Sequence, residues 1–318
     1  MDITDRPSTK GLQWPNFFIV GAQNSATTAL YLYLREHPGV FMPAMKEPHY
    51  FSNLIPIRRM RYPISHVSDR RSYLRLFLPA GERIAVGEAS SSYLLEVQSA
   101  SRIHQMIPDA KIIIILRDPV ARAYSHYLMD LREGWADLPF YDALQRDWDS
   151  SVKGYGVSRL YVELGLYCNQ VNAYLKTFGA RAVHVIFFDE FIEAVNCGDS
   201  QMLEDICRFL GLDCNGFRLG AHQPAQHWNR YAEARFDWSR RLAGSRIARW
   251  LGQAIIPRRA GSTFILKRRL YEPIFLSGAE KPPIDARAKR WLCDIFDNNI
   301  ASLEGLLGRK IPNLRKTW

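Results

Sequence analysis

Residues 17–30, FFIVGAQNSATTAL, decide how the chain is read. Phe17, Phe18, Ile19 and Val20 form a short apolar run, the mark of a buried strand. Gly21 ends it. Ala22, Gln23, Asn24, Ser25 and Ala26 are small or polar, and from Thr28 the sequence turns helical, with Leu30, Leu32 and Leu34 alternating with Tyr31 and Tyr33. A strand, a small-residue turn and a helix are the parts that wrap a phosphate. The first N–H groups of a helix have no partner inside it and point at an anion, and Ser25, Thr27 and Thr28 add hydroxyl donors. An ordinary strand-to-helix connection has the same outline, so the rest of the chain must discriminate.

A Walker A loop requires GxxxxGK[ST]. In that register the chain offers Gly21, then Ala26, Thr27 and Thr28, with alanine for the second glycine and threonine for the lysine. A kinase or NTPase would lack its main charge on the β- and γ-phosphates, so a P-loop kinase is the weakest reading.

At 318 residues, 47% apolar and 23% charged, the chain has the composition of a globular protein with a sizeable core. The N-terminal segment MDITDRPSTKGLQWPN has no apolar signal core, and no stretch approaches the roughly 18 apolar residues of a membrane span. The expectation is a soluble, cytoplasmic protein with no transmembrane segment and no nucleic-acid partner; its oligomeric state stays open. Five scattered cysteines without a CxxC pair point to free thiols rather than a zinc site or disulfide framework. The net charge of +10 is uneven: residues 227–270 hold eleven Lys and Arg against Glu233 and Asp237, a net of +9. Such a segment suits either a solvated helix face or an anionic acceptor or surface.

Further strands are expected at 83–88, at 111–116 (KIIIIL) and at 182–188 (AVHVIFF), with helices between them; the pattern is that of a doubly wound parallel sheet. KIIIIL is continuous and β-branched, as a strand buried on both faces should be. It ends in Arg117-Asp118-Pro119, and an Arg at the carboxyl end of a central parallel strand sits where open α/β sheets bind ligands. Ser125 and His126 follow about two helical turns on, so that Arg117 and Ser125 offer a guanidinium fork and a hydroxyl to a second phosphate; pairing of Arg117 with Asp118 is the structural alternative. Before this, HPGVFMPAMKEPHYFS (37–52) reads as loop, short strand and loop, and brings Lys46, Glu47 and His49 together. Residues 54–75 read as an irregular, Arg-rich excursion. Helices are expected at 99–107, 157–178, 227–252 and 285–307, and MLEDICRFLGL as an amphipathic helix capped by Gly211.

These segments together resemble the PAPS-dependent sulfotransferases, near the bacterial and heparan-sulfate-type branch; PAPS is 3′-phosphoadenosine 5′-phosphosulfate and PAP the product it leaves. GAQNSATTALYLYLREHP resembles the family's 5′-phosphosulfate loop, KEPHYF its KE-x-HFF segment, LRDPVARAYSHY its 3′-phosphate motif, GEASSSYL its GE-x-SPSYL with Ser91 or Ser92 for the proline, and LLGRKIPNLRKTW its closing segment. The resemblance implies an α/β P-loop-like fold in one domain over 1–318: a PAPS-binding core at 16–215, a variable acceptor-side region at 215–283, and a C-terminal helix and tail at 284–318. It implies in-line, metal-free transfer of a sulfuryl group from PAPS to a hydroxyl of a small molecule, lipid or saccharide. Gly21 to Leu30 would hold the 5′-phosphate and sulfate, Arg117 and Ser125 the 3′-phosphate. Glu47 would be the general base, with His49 positioning it or the acceptor, and Glu88 and His126 would reach the acceptor.

Asn24 stands where the family loop has a lysine. Losing a stabiliser of that kind costs on the order of 10²–10³ in rate, by analogy with an oxyanion-hole donor. Three readings follow: Lys46 supplies the charge, the protein is a PAP- or anion-binder without turnover, or Asn24 is an engineered inactivating substitution. Ala26 likewise replaces a glycine. In place of a basic loop before the last helix the chain has SGAEKPPID, with Lys281 as its single cation.

Overall fold

The structure is a computed structural model that describes residues 12–53, 66–198, 201–213, 232–234, 276–278 and 281–318. Five parallel strands form its centre: β1 (Phe17–Gly21), β2 (Val40–Phe41), β3 (Ala85–Ala89), β4 (Lys111–Leu116) and β5 (Val183–Phe187), in the order β2-β3-β1-β4-β5. Phe17 pairs with Gly87 on one side and Lys111 on the other, which puts β1 in the middle.

The alternation of side chains along each strand feeds two cores. Phe18, Val20, Ile112, Ile114 and Leu116 face one way, packed by α4 (Gln98–Met106), α5 (Pro119–Arg132), α7 (Tyr167–Phe178) and α10 (Ala286–Leu307). Phe17, Ile19, Ile113 and Ile115 face the other way, onto α1 (Thr27–Arg35), α8 (Phe188–Cys197) and α9 (Gln201–Leu210). Both faces of KIIIIL are thus covered, which is why that strand reads as an unbroken apolar run. The remaining helices are α2 (Arg70–Arg75), α3 (Ser92–Leu95) and α6 (Phe140–Trp148). Among the described residues no helix is long and apolar enough to cross a membrane.

Three expectations change. The helix expected at 157–178 starts only at Tyr167. The Asp147 carboxylate accepts from the backbone N–H groups of Arg159 (2.7 Å) and Tyr161 (3.1 Å) and draws the preceding stretch into a loop. The strand expected over 182–188 ends at Phe187, and Phe188 already opens α8, a helix favoured by Asp189 and Glu190 in its first turn. The expected helix at 227–252 lies outside the described residues except for Ala232–Ala234, which is strand β6, antiparallel to β7 (Leu276–Gly278). Ala-Glu-Ala has high helix propensity, and strand pairing overrides it. Residues 54–65 of the Arg-rich excursion and most of the basic 227–270 segment also lie outside the described residues; Arg70, Arg71 and Arg75 are in α2.

Candidate active site

The turn after β1 is an anion cradle in its geometry. Gly21 has φ +154°, and a Cβ on it would come within 2.7 Å of Leu94 Cβ, so only glycine lets the chain leave the sheet here. Asn24 and Ala26 both take positive φ, 62° and 65°. Ala26 is the N-cap of α1 and contributes no capping side chain, and the first turn carries no acid, so the leading N–H groups of α1 have no side-chain partner. Ser25 is fully buried, and neither its Oγ nor the buried Asn24 Nδ2 has a hydrogen-bond partner. A buried unpaired donor costs about 1–3 kcal/mol, and two of them beside an uncapped helix N-terminus are what an anion-binding loop presents before its ligand arrives. Gln23 and Thr28 are half-buried, Ala22 and Thr27 buried, along the same turn.

Arg117 follows β4 and closes the cradle from the neighbouring strand. Its Nη1 donates to the Asn24 carbonyl at 3.0 Å, and its guanidinium lies 4.2 Å over the Phe188 ring. Burial lowers its pKa, with Tyr167, Asp189 and Asp118 acting in the opposite direction. Pairing with Asp118 is not what the structure shows. One Asp118 oxygen caps α5 through Val120 N (2.9 Å) and Ala121 N (3.0 Å), and the other accepts from Thr317 N and Oγ1, both at 2.9 Å. The closing segment of the chain is thereby pinned to the Arg-Asp-Pro turn, and Arg117 has no ion pair among the described residues. Two turns along α5, Ser125 is half-exposed.

Lys281 was missed as a site residue by the sequence reading. Its Nζ sits 5.0 Å over the Tyr124 ring, one residue from Ser125, and Tyr124 OH donates to the carbonyls of Pro282 (3.0 Å) and Pro283 (3.3 Å). Burial, then the charge of Arg117, bring the Lys281 pKa down to about 8. Lys281 thus lies against the N-terminal half of α5, within electrostatic reach of Arg117. A lone lysine in SGAEKPPID gave no local signal of this, because the Pro-Pro backbone is what docks it.

The second group lies one strand away. Glu47 N donates to Ala89 O, and Ala89 is paired with Ile19 of β1, so the Lys46–His49 segment crosses the carboxyl end of β3 beside the cradle. Glu47 and His49 flank Pro48 with positive φ, 59° and 55°. For a residue before proline this is doubly unfavourable. Glu47 N on Ala89 O (2.9 Å), His49 N on Ser90 Oγ (3.1 Å) and Val67 N on Pro48 O (2.9 Å) hold the bend.

Glu47 Oε1 accepts from Lys46 Nζ (2.7 Å) and Ser91 Oγ (2.9 Å). Oε2 has His49 Nε2 at 3.7 Å, beyond hydrogen-bond distance. Burial pushes the Glu47 pKa up, but Lys46, His49 and the hydrogen bonds from Lys46 and Ser91 outweigh it and hold it at about 2. Glu47 is therefore ionised at neutral pH, with Oε2 open to a proton. His49 is 2% exposed, and burial keeps its pKa at about 4 against the pull of Glu47. Its Nδ1 is 2.7 Å from Ser92 Oγ, itself 2.6 Å from Ser52 Oγ. With Nδ1 accepting from Ser92, the ring carries its proton on Nε2, facing Glu47. Lys46 makes its hydrogen bond in this structure to Glu47.

Glu88 and His126, expected to face an acceptor, are enclosed by the fold. Glu88 is fully buried, and its carboxylate accepts from Ser90 Oγ (2.6 Å), Tyr73 OH (2.8 Å) and Tyr93 OH (2.8 Å). Burial, opposed by these donors, raises its pKa to about 7. His126 is 2% exposed on the far side of α5, its ring 5.0 Å from Tyr161 and its Nε2 3.8 Å from Asp130. The resemblance placed both at the acceptor; the structure surrounds them with protein side chains. Among the described residues no group of three or more His, Cys, Asp or Glu side chains gathers as a metal site.

Comparison with known proteins agrees with this geometry. The family model described as "Sulfotransferase family" matches residues 15–216. Carbohydrate sulfotransferase 15 of Rattus norvegicus is 32% identical over 150 residues, covering 36% of this chain and 27% of that protein. Heparan sulfate glucosamine 3-O-sulfotransferase 6 of Homo sapiens is 29% identical over 217 residues, covering 65% of this chain and 58% of that one. The chain therefore spans about a quarter to three fifths of the length of these curated relatives. Among solved structures, a sulfotransferase from Alicyclobacillus acidocaldarius superposes with a TM-score of 0.67 at 28% identity, covering 95% of this chain and 99% of that one. The family match runs through the cradle, the Glu47 bend and the Arg117 turn alike, and the chain belongs to the sulfotransferase family.

Proposed function

We propose that this protein uses PAPS as donor and transfers its sulfuryl group to a hydroxyl of a saccharide or similar small acceptor. The observation that carries the reading is the convergence of two half-sites at one sheet edge. One is a cradle of unpaired donors, Asn24 Nδ2, Ser25 Oγ and the α1 N–H groups, closed by Arg117. The other is a carboxylate with one saturated and one open oxygen, Glu47. The residues fit a doubly anionic nucleotide. Ser25, Thr27, Thr28 and the α1 N-terminus would hold the 5′-phosphosulfate, and Arg117, Ser125 and Lys281 the 3′-phosphate. When bound, PAPS supplies the activated sulfuryl group and a phosphate leaving group. The chain's own residues do the remainder: the α1 N–H groups and Asn24 Nδ2 stabilise charge at the 5′ end, and Glu47 Oε2 takes the acceptor's proton, with the buried His49 ring beside it. The names of the carbohydrate and heparan sulfate relatives support a saccharide acceptor.

The test is PAP formation from PAPS on adding glucosamine-containing oligosaccharides. Wild type should turn over slowly for want of a loop cation, Asn24→Lys should raise kcat by about 10²–10³, and Glu47→Gln should abolish turnover. The competing reading, a PAP-binding protein without turnover, is favoured by Asn24 alone. It prevails if both wild type and Asn24→Lys bind PAP yet release none from PAPS with any acceptor.

A further inference from the structure

Glu47 is gripped by a residue that proton transfer alone does not require. Ser91 is 2% exposed, and its Oγ lies 2.9 Å from Glu47 Oε1 and 3.2 Å from the Tyr155 hydroxyl. An ionised carboxylate only accepts. The single Ser91 proton therefore goes to Glu47, and Tyr155 must donate to Ser91. The outcome is a directed chain, Tyr155 O–H to Ser91 O–H to carboxylate, in which each bond polarises the next. Tyr155 belongs to the segment after α6, and its ring centroid lies 5.5 Å from that of His49.

Lys46 also bonds Oε1, but through a four-carbon stem that neutralises charge without fixing direction. Ser91 is short, buried and placed at the start of α3, so it defines the carboxylate plane. Counting along the GE-x-SPSYL pattern from Gly87, the proline falls on position 91. A proline has no hydroxyl, so this link belongs to the present chain and not to the pattern.

Resting on the reading of Glu47 as general base, we propose that Ser91 is a positioning residue that locks the Glu47 carboxylate with Oε2 toward the acceptor and couples it to Tyr155. Two measurements test it. The first needs no acceptor: the carboxyl carbon of Glu47 is followed by 13C NMR as pH is lowered. One hydrogen bond to a charged group is removed in Ser91→Ala, so its titration midpoint should rise by about one pH unit, and Ser91→Thr should restore it. The second is turnover with a glucosamine-containing oligosaccharide. Ser91→Ala should lower kcat about tenfold at unchanged KM for PAPS, Ser91→Thr should recover it, and Tyr155→Phe should give a smaller loss. Wild-type midpoint and kcat in Ser91→Ala overturn the proposal. Wild-type turnover in Glu47→Gln overturns instead the reading of Glu47 as base, and the NMR titration then decides the Ser91 bond by itself.

Discussion

Replacing Arg117 by alanine separates two roles that its geometry combines. The guanidinium donates to the Asn24 carbonyl at 3.0 Å, stacks at 4.2 Å on Phe188, and has no ion pair among the described residues, which leaves the rest of its fork for an anion. A hydrogen bond to a charged group contributes about 1.5–3 kcal/mol, and every 1.4 kcal/mol is about tenfold in affinity. Arg117→Ala should therefore weaken PAP binding by about 10- to 100-fold. The loop bond to the Asn24 carbonyl also has a charged donor and falls in the same range of about 1.5–3 kcal/mol, so its loss would loosen the cradle. The assay is calorimetric titration of PAP and of AMP, which lacks the 3′-phosphate, into wild type and variant. If Arg117 reads the 3′-phosphate, wild type prefers PAP strongly, and in the variant that preference shrinks by about 10- to 100-fold while AMP binding changes little. Equal weakening of PAP and AMP would refute the reasoning, because Arg117 would then act only by holding the loop through Asn24.

Lys281 carries its charge below about pH 8 and loses it above, since burial and Arg117 lower its pKa. PAP affinity should thus fall as pH rises through 8 in wild type and be flat there in Lys281→Met, and parallel pH profiles in the two proteins would exclude Lys281 from the phosphate site. Glu88 has a folded pKa raised to about 7 from 4.5, so the folded state holds the extra proton and stability declines as pH climbs through that window. Glu88→Gln should remove the decline, worth up to about 3 kcal/mol, and a Gln variant whose Tm keeps the wild-type slope between pH 4.5 and 7 would contradict it. Ala26 has φ 65°, where a Cβ costs about 1–2 kcal/mol, so Ala26→Gly should raise the urea midpoint modestly, net of the added unfolded-state freedom of glycine; a lower midpoint would mean that this Cβ is not strained.

The sheet was legible because its strands are extreme. KIIIIL has no polar side to confuse its reading, and FFIVG ends on a glycine that the structure shows to be sterically obligatory against Leu94. The turn after β1 and the Arg117 turn were legible as backbone features because each is encoded in consecutive residues, an apolar strand followed directly by its turn and its helix. What sequence could not show is enclosure. Glu88 and His126 have the side chains of an acceptor site, and only the packing of Tyr73, Tyr93 and Tyr161 around them reveals that they are closed off. Lys281 and Tyr155 were invisible for the converse reason. Each reaches its neighbours across a long sequence separation, Lys281 beside Tyr124 and Tyr155 beside Ser91. Helix propensity misled at 232–234, where strand pairing prevails over composition.

Strain ties the two half-sites into one device. Asn24, Ala26, Glu47 and His49 are four of the five described non-glycine residues with positive φ, and they fall in two short segments that meet at one sheet edge. Each costs of order 1–3 kcal/mol and persists only where the surroundings over-determine it. Here the restraints are visible: Arg117 on the Asn24 carbonyl, Ala22 N on Ile115 O at 2.7 Å, Glu47 N on Ala89 O and His49 N on Ser90 Oγ. Left-handed residues in the loop turn successive N–H groups inward, which is how a backbone makes a concave anion site without a cation of its own. That accounts for how an asparagine is accommodated where the related loop has a lysine. Asparagine is among the few residues that tolerate the left-handed region, so position 24 keeps its backbone shape and its donor while giving up its charge. On the proposed reading the cradle is kept for binding, and the charge given up at position 24 is one that would have stabilised the leaving group. A variant series at position 24 should accordingly move kcat far more than PAP affinity.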